Sequence, residues 1–212
     1  MAYDLDLFLS LPRVEGLALS PDGRRLVTSV ATVAPDGKKF LGALWELDPR
    51  GEAPPRRLTR SARGEGSPVF LPDGSLLFTS SRPDPEATAD DKDDDPPAAL
   101  WLLPAGGGEA RLVAKPPGGV EGVAVARVSG RVAVAVAVFP DAGDLEQDAE
   151  RFEARRKAGV KAQLFEHYPI RFWDHFLGPR RRRIFVTDPP SGGARLGPLR
   201  QVADGGDAGL ID

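Results

Sequence analysis

Leu17-Ala-Leu-Ser-Pro-Asp-Gly-Arg-Arg-Leu-Val-Thr-Ser29 and Val69-Phe-Leu-Pro-Asp-Gly-Ser-Leu-Leu-Phe-Thr-Ser80 decide the fold. Each sets a Pro-Asp-Gly turn between two apolar runs, and the turns begin at Pro21 and Pro72, 51 residues apart. Gly supplies the positive φ of a tight turn, and the Asp carboxylate can accept from the turn's own backbone. Each stretch therefore reads as a β-hairpin, and the two as copies of one unit.

Outward from each hairpin the likeness continues. Leu44-Trp-Glu-Leu-Asp48 precedes Arg56-Arg-Leu-Thr59, and Leu100-Trp-Leu-Leu-Pro104 precedes Ala110-Arg-Leu-Val-Ala114, with turn-rich connectors between the runs. Trp45 and Trp101 stand 56 residues apart. A third, degenerate copy runs from Val120 to Ala137 with Ser129-Gly130 at its turn. Its third strand is delayed to Arg183–Asp188, and Leu199–Val202 reads as a fourth. Four strands per unit, repeating near every 50 residues, is the arithmetic of a propeller blade. The expected fold is all-β: an incomplete β-propeller of about three four-stranded blades, with one helical insertion in the third blade. Blade 1 is expected over about 14–60, blade 2 over about 66–115 and blade 3 over about 119–203, with the insertion at 141–182. Val14–Ser20, Ser67–Leu71 and Val120–Ala126 are the expected inner strands, small and apolar because blades crowd near the axis.

Composition agrees. The 212 residues are 41% hydrophobic and 28% charged, enough to bury a core. The 24 glycines and 21 prolines are scattered, punctuating many short segments rather than long helices. A net charge of −3 implies no global attraction to nucleic acid or anionic lipid. Absence of cysteine excludes disulfides and Cys-ligated metals. The N-terminus carries neither a basic region nor an apolar run of signal-peptide length, and no stretch is long enough to span a bilayer. A cytoplasmic location is the expectation.

The pattern breaks between Pro140 and Arg182. Asp144–Lys157 reads as a helix: Asp144 caps it, with Gln147 three residues on, and Gly159 stops it. Leu145, Ala149 and Phe152 share one face. The following segment, Gln163–Gly178, holds both histidines, His167 and His175, together with Phe165, Tyr168, Phe172, Trp173 and Phe176. Such a cluster either lines a substrate passage or supplies buried area, the commoner role of aromatic side chains.

The G-x-S-x-G elbow of an α/β-hydrolase is absent; Gly64-Glu-Gly-Ser-Pro68 has the wrong spacing. His167, Asp174 and His175 do not have a recognised metal-ligand spacing on one element, and Asp91, Asp93 and Asp95 lack the glycine and closing glutamate of a calcium loop. Gly106-Gly-Gly108 lacks the lysine of a phosphate-binding loop. The basic run Arg180–Arg183 is too short for a nucleic-acid face and reads as a solvated turn. Neither a cofactor nor a metal is expected.

Leu19-Ser-Pro-Asp-Gly-Arg-Arg-Leu-Val27, Leu44-Trp-Glu-Leu-Asp48, Ser80-Ser-Arg-Pro83 and, most specifically, Tyr168-Pro-Ile-Arg-Phe-Trp-Asp-His175 carry a resemblance. The chain resembles the N-terminal propeller region of the prolyl oligopeptidase family, in particular its bacterial acylaminoacyl-peptidase-like branch. The resemblance implies a propeller of six to eight blades that limits access to short peptides, followed by a C-terminal α/β-hydrolase domain bearing a Ser-Asp-His triad. No position here matches the family's catalytic motifs, so no catalytic residue is carried over, nor is the glutamate-pair role for Glu150 and Glu153. The candidate substrate-facing residues are Tyr168, Arg171, Trp173, Asp174 and His175. The expected function is a non-catalytic gating segment of a serine peptidase, with the hydrolase domain and short peptides as partners. The alternative is a stand-alone interaction module, a homo-oligomer joined through open blade edges.

Overall fold

A computed structural model of the chain describes residues 4–84, 96–159, 162, 170–172, 175–176, 178–190 and 195–204. Its strands form three four-stranded antiparallel sheets, the blades of a partial propeller. Sheet 1 contains β1 (Arg13–Leu19), β2 (Leu26–Val33), β3 (Phe40–Leu47) and β4 (Arg56–Arg57). Sheet 2 contains β5 (Glu65–Phe70), β6 (Leu76–Ser80), β7 (Ala99–Leu103) and β8 (Arg111–Ala114). Sheet 3 contains β9 (Val120–Val125) and β10 (Val132–Val138), then, after helix α2 (Leu145–Lys157) and the two-residue strands β11 (Arg171–Phe172) and β12 (His175–Phe176), β13 (Arg181–Thr187) and β14 (Arg200–Asp204). A short helix not foreseen from the sequence, α1 (Leu5–Ser10), precedes β1, with the Asp4 carboxylate accepting from Leu7 N–H.

The Pro-Asp-Gly turns close as their chemistry requires. Gly23 N–H donates to Ser20 O at 2.9 Å, and Asp22 Oδ1 accepts from Arg24 N–H and Ser20 Oγ. Gly74 and Asp73 repeat this at the second turn. A third copy, Pro35-Asp36-Gly37, joins β2 to β3. Gly23 and Gly74 both sit at positive φ, 72° and 83°.

Side chains alternate across each sheet, so every sheet has two faces. We call front the face toward the N-terminal end of the blade series and back the opposite one. The back of sheet 1 (Ala18, Val27, Leu44) packs on the front of sheet 2 (Phe70, Leu76, Phe78, Ala99, Trp101, Leu103). The back of sheet 2 (Leu77, Leu100, Leu102, Val113) packs on the front of sheet 3 (Val132, Val134, Val136, Val138, Phe185). Sheet 2 is thus covered on both faces, and all five residues of β7 are buried.

The inner strands differ from expectation. In β1 only Ala18 is buried, and β5 and β9 are largely half-buried or exposed. The core lies one and two strands outward, because an inner strand is the edge of its sheet and is flanked on one side only. Each also carries a register shift beside a Glu-Gly pair: across Gly16 in β1, after Gly66 in β5 and at Glu121 in β9. That recurring pair is a repeat feature the turn-centred reading passed over.

Candidate functional site

Two places can bear function: the insertion in blade 3 and the end of the molecule where the inner strands finish. The insertion begins with α2, capped as the sequence predicts: Asp144 Oδ1 accepts from Gln147 N–H at 2.8 Å. Gln147 Oε1 reaches back to Gly143 N–H, one residue before the cap. Leu145 and Phe152 pack against the core, as their periodicity implies. The fully buried residue of the helix, however, is Asp148.

Asp148 holds the base of the insertion together. Its Oδ1 accepts from Phe139 N–H at 2.8 Å, at the end of β10. Arg180, just before β13, donates to both oxygens, at 3.2 and 3.0 Å. The Arg180 guanidinium also lies 4.4 Å from the Phe139 ring centroid and 4.8 Å from that of Phe152. Arg183 is buried and donates to the carbonyls of Phe139, Pro140 and Ala142. The basic run is therefore no solvated turn. Arg180 and Arg183 turn inward to bind a carboxylate and backbone carbonyls, while Arg182 pairs with Glu121. A buried guanidinium is tolerable only with such partners.

The segment that carries the candidate residues follows α2 in the chain. Arg171 is exposed in β11, and the hairpin pairs Arg171 with Phe176 and Phe172 with His175. Arg171 and His175 are thus brought onto one two-stranded ribbon. Tyr168, Trp173 and Asp174 lie outside the described residues.

At the other place, β1, β5 and β9 end side by side and enclose an open cleft of about 580 Å³. Leu19, Phe70, Pro72 and Val125 give it apolar walls, and Ser20, Asp22 and Arg127 add polar groups. The hydrogen bond from Ser20, then that from Arg24 N–H, holds the Asp22 carboxyl below the usual carboxylate range. Asp22 is therefore a fixed negative charge at neutral pH, on the turn of blade 1, with Arg127 supplied by the turn of blade 3. A volume of this order suits a small ligand or a few residues of peptide. Sequence reading missed this cleft because its lining comes from three turns about 50 residues apart; the repeat of the turns was the available signal.

No sequence-family model matches the chain, and no curated protein matches it. Solved structures do. The acylaminoacyl peptidase of Pyrococcus horikoshii superposes in its orthorhombic crystal form with a TM-score of 0.58 at 10% identity, over 95% of this chain and 26% of that one. The uncomplexed form of the same peptidase gives 0.59 at 10% identity, over 94% and 26%. The isopeptidase AtxE2 in its apo form gives 0.51 at 16% identity, over 92% and 31%. The chain spans about a quarter to a third of these structures, and at such identities the likeness is one of fold.

Proposed function

We propose that this chain is a non-catalytic propeller segment of a serine peptidase, selecting short peptide substrates for a C-terminal α/β-hydrolase domain encoded outside residues 1–212. The observation that carries the reading is the superposition of nearly the whole chain on part of an acylaminoacyl peptidase. The Tyr168–His175 string points to the same branch by resemblance. Physically, stacked sheets are suited to gating, because they make rigid walls and present loops and insertions at the rim. The insertion fits that role: it is clamped by Asp148 and Arg180 and includes a two-stranded ribbon with Arg171 and His175. The cleft at the inner-strand ends is a second surface a peptide could meet.

Fluorophosphonate labelling of the natural gene product, with mapping of the labelled peptide and assay on N-acylated peptides of increasing length, tests this. A labelled serine outside residues 1–212, with turnover that falls off as peptides lengthen, supports the reading. A labelled serine inside them, or a natural product of this length that neither labels nor hydrolyses, overturns it.

A further inference from the structure

The cleft where β1, β5 and β9 end is built from turns that are fastened to one another. Arg25, at the turn of blade 1, donates to the carbonyl oxygen of Gly74, at the turn of blade 2, at 3.2 Å. Gly130, at the turn of blade 3, lies so close to Pro72 that a Cβ there would stand 3.2 Å from the proline ring. Blade 2 thus holds the turns of blades 1 and 3 on either side of it. The walls of the cleft are set before any ligand arrives, which lowers the ordering cost of binding.

Its charges stand on opposite walls. Asp22 comes from blade 1 and Arg127 from blade 3, and blade 2 lays Phe70 and Pro72 between them. Asp22 Oδ1 accepts from Ser20 Oγ at 2.6 Å and from Arg24 N–H at 3.1 Å. A carboxylate has about four acceptor sites, so Asp22 keeps capacity for a further donor. Arg127 is exposed, and among the described residues no acceptor is paired with its guanidinium. Arg25, beside the cleft floor, is already committed: its guanidinium pairs with Glu46 and lies 5.3 Å from the Phe70 ring centroid.

We infer that this cleft binds short peptides with both termini free, the amino terminus at Asp22, the carboxylate at Arg127 and apolar side chains on Leu19, Phe70, Pro72 and Val125. A carboxylate alone would suit any cation, and a guanidinium alone any anion. Two opposite charges across an apolar floor suit a ligand that carries both charges at its ends with apolar groups between. Packed sheets lie about 10 Å apart, so two spacings bound the gap at about 20 Å, the span of about six extended residues. The inference deepens the peptide-selecting role proposed above and rests on that part of it, without needing a hydrolase domain. Its readout is binding to this chain, whereas the peptidase reading stands or falls on a labelled serine.

Isothermal titration calorimetry of the 212-residue chain with the tetrapeptide Ala-Leu-Leu-Ala tests it. Acetylating the peptide's amino terminus and amidating its carboxyl terminus should each weaken binding about fivefold, the order of one exposed ion pair. Asp22→Asn, which keeps an acceptor oxygen for the turn, should remove the response to acetylation and leave that to amidation. Arg127→Gln should do the reverse. Each cap taken with its own residue forms a double-mutant cycle. Arg127 is exposed on a turn, so its variant keeps the test decisive even where Asp22→Asn loosens the first turn. No binding at about 5 mM peptide overturns the inference. So does binding that ignores both caps, or that keeps both responses in the two variants, which puts the peptide elsewhere on the chain. A response to amidation alone overturns it as well and reduces the cleft to an anion site at Arg127.

Discussion

Arg180 grips both oxygens of Asp148 across 32 residues of sequence, and the Asp148 side chain is wholly buried. The pair ties helix α2 to the start of β13, and the chain between them carries β11 and β12. Removing one partner leaves a buried charge uncompensated, at a cost of about 3–5 kcal/mol. Asp148→Ala should therefore lower stability by that order in urea unfolding. It should also open the insertion to limited proteolysis between 158 and 180 before the sheets unfold. Cleavage there at the unmodified rate would contradict the anchoring role.

The hairpins were legible in the sequence because a Pro-Asp-Gly turn is decided by three adjacent residues. The blades followed because the same local signal recurs. Asp148 was not legible: helical periodicity marks Leu145, Ala149 and Phe152, and a buried carboxylate breaks that pattern for a partner far along the chain. Glu65 is the same case. It looks like one more surface glutamate, yet its buried carboxylate accepts from Thr59 Oγ1, Ser61 N–H and Arg82. Of the candidate residues, the structure places Arg171 and His175 on the two strands of one hairpin, a relation that sequence spacing alone did not indicate.

Gly42 marks a close approach of blades 1 and 2. A Cβ there would stand 2.3 Å from the carbonyl oxygen of Glu65, which also accepts from Ser29 Oγ. That oxygen is backbone and cannot swing aside. Gly42→Ala should destabilise by about 1–3 kcal/mol through forced separation of the sheets. Gly51→Ala, at a turn with open space around it, carries only the cost of a positive φ. A smaller effect at Gly42 than at Gly51 would argue against the close approach.

Acidification should weaken the fold partly through Glu46. Burial pushes its carboxyl up, but hydrogen bonds from Arg25 and Arg56, each 2.5 Å, outweigh this and hold it below the usual range. A pKa lower in the folded than in the unfolded chain gives stability that is complete above the unfolded value, near 4.3. It is lost as the pH falls toward the folded value. Asp22 and Asp48 are shifted the same way by turn hydrogen bonds. Urea midpoints should thus hold from pH 7 to about 5 and fall below it. Glu46→Gln should be less stable at pH 7 and show a shallower fall; an unchanged slope would remove Glu46 from the cause.

Trp45 and Trp101 occupy the same place in successive blades, yet only Trp101 is sealed. Its ring is buried between sheets, its Nε1–H donates to Ser80 O at 3.2 Å, and the Arg82 guanidinium lies 5.1 Å from it. Truncating so enclosed a ring removes its transfer energy and leaves a cavity, about 3–5 kcal/mol together. Trp45 is half-buried on an open face, so its truncation forfeits less area and leaves a dent rather than a void. Trp101→Ala should therefore cost at least twice what Trp45→Ala does in the urea midpoint. Equal costs for the two truncations would contradict the difference in their burial.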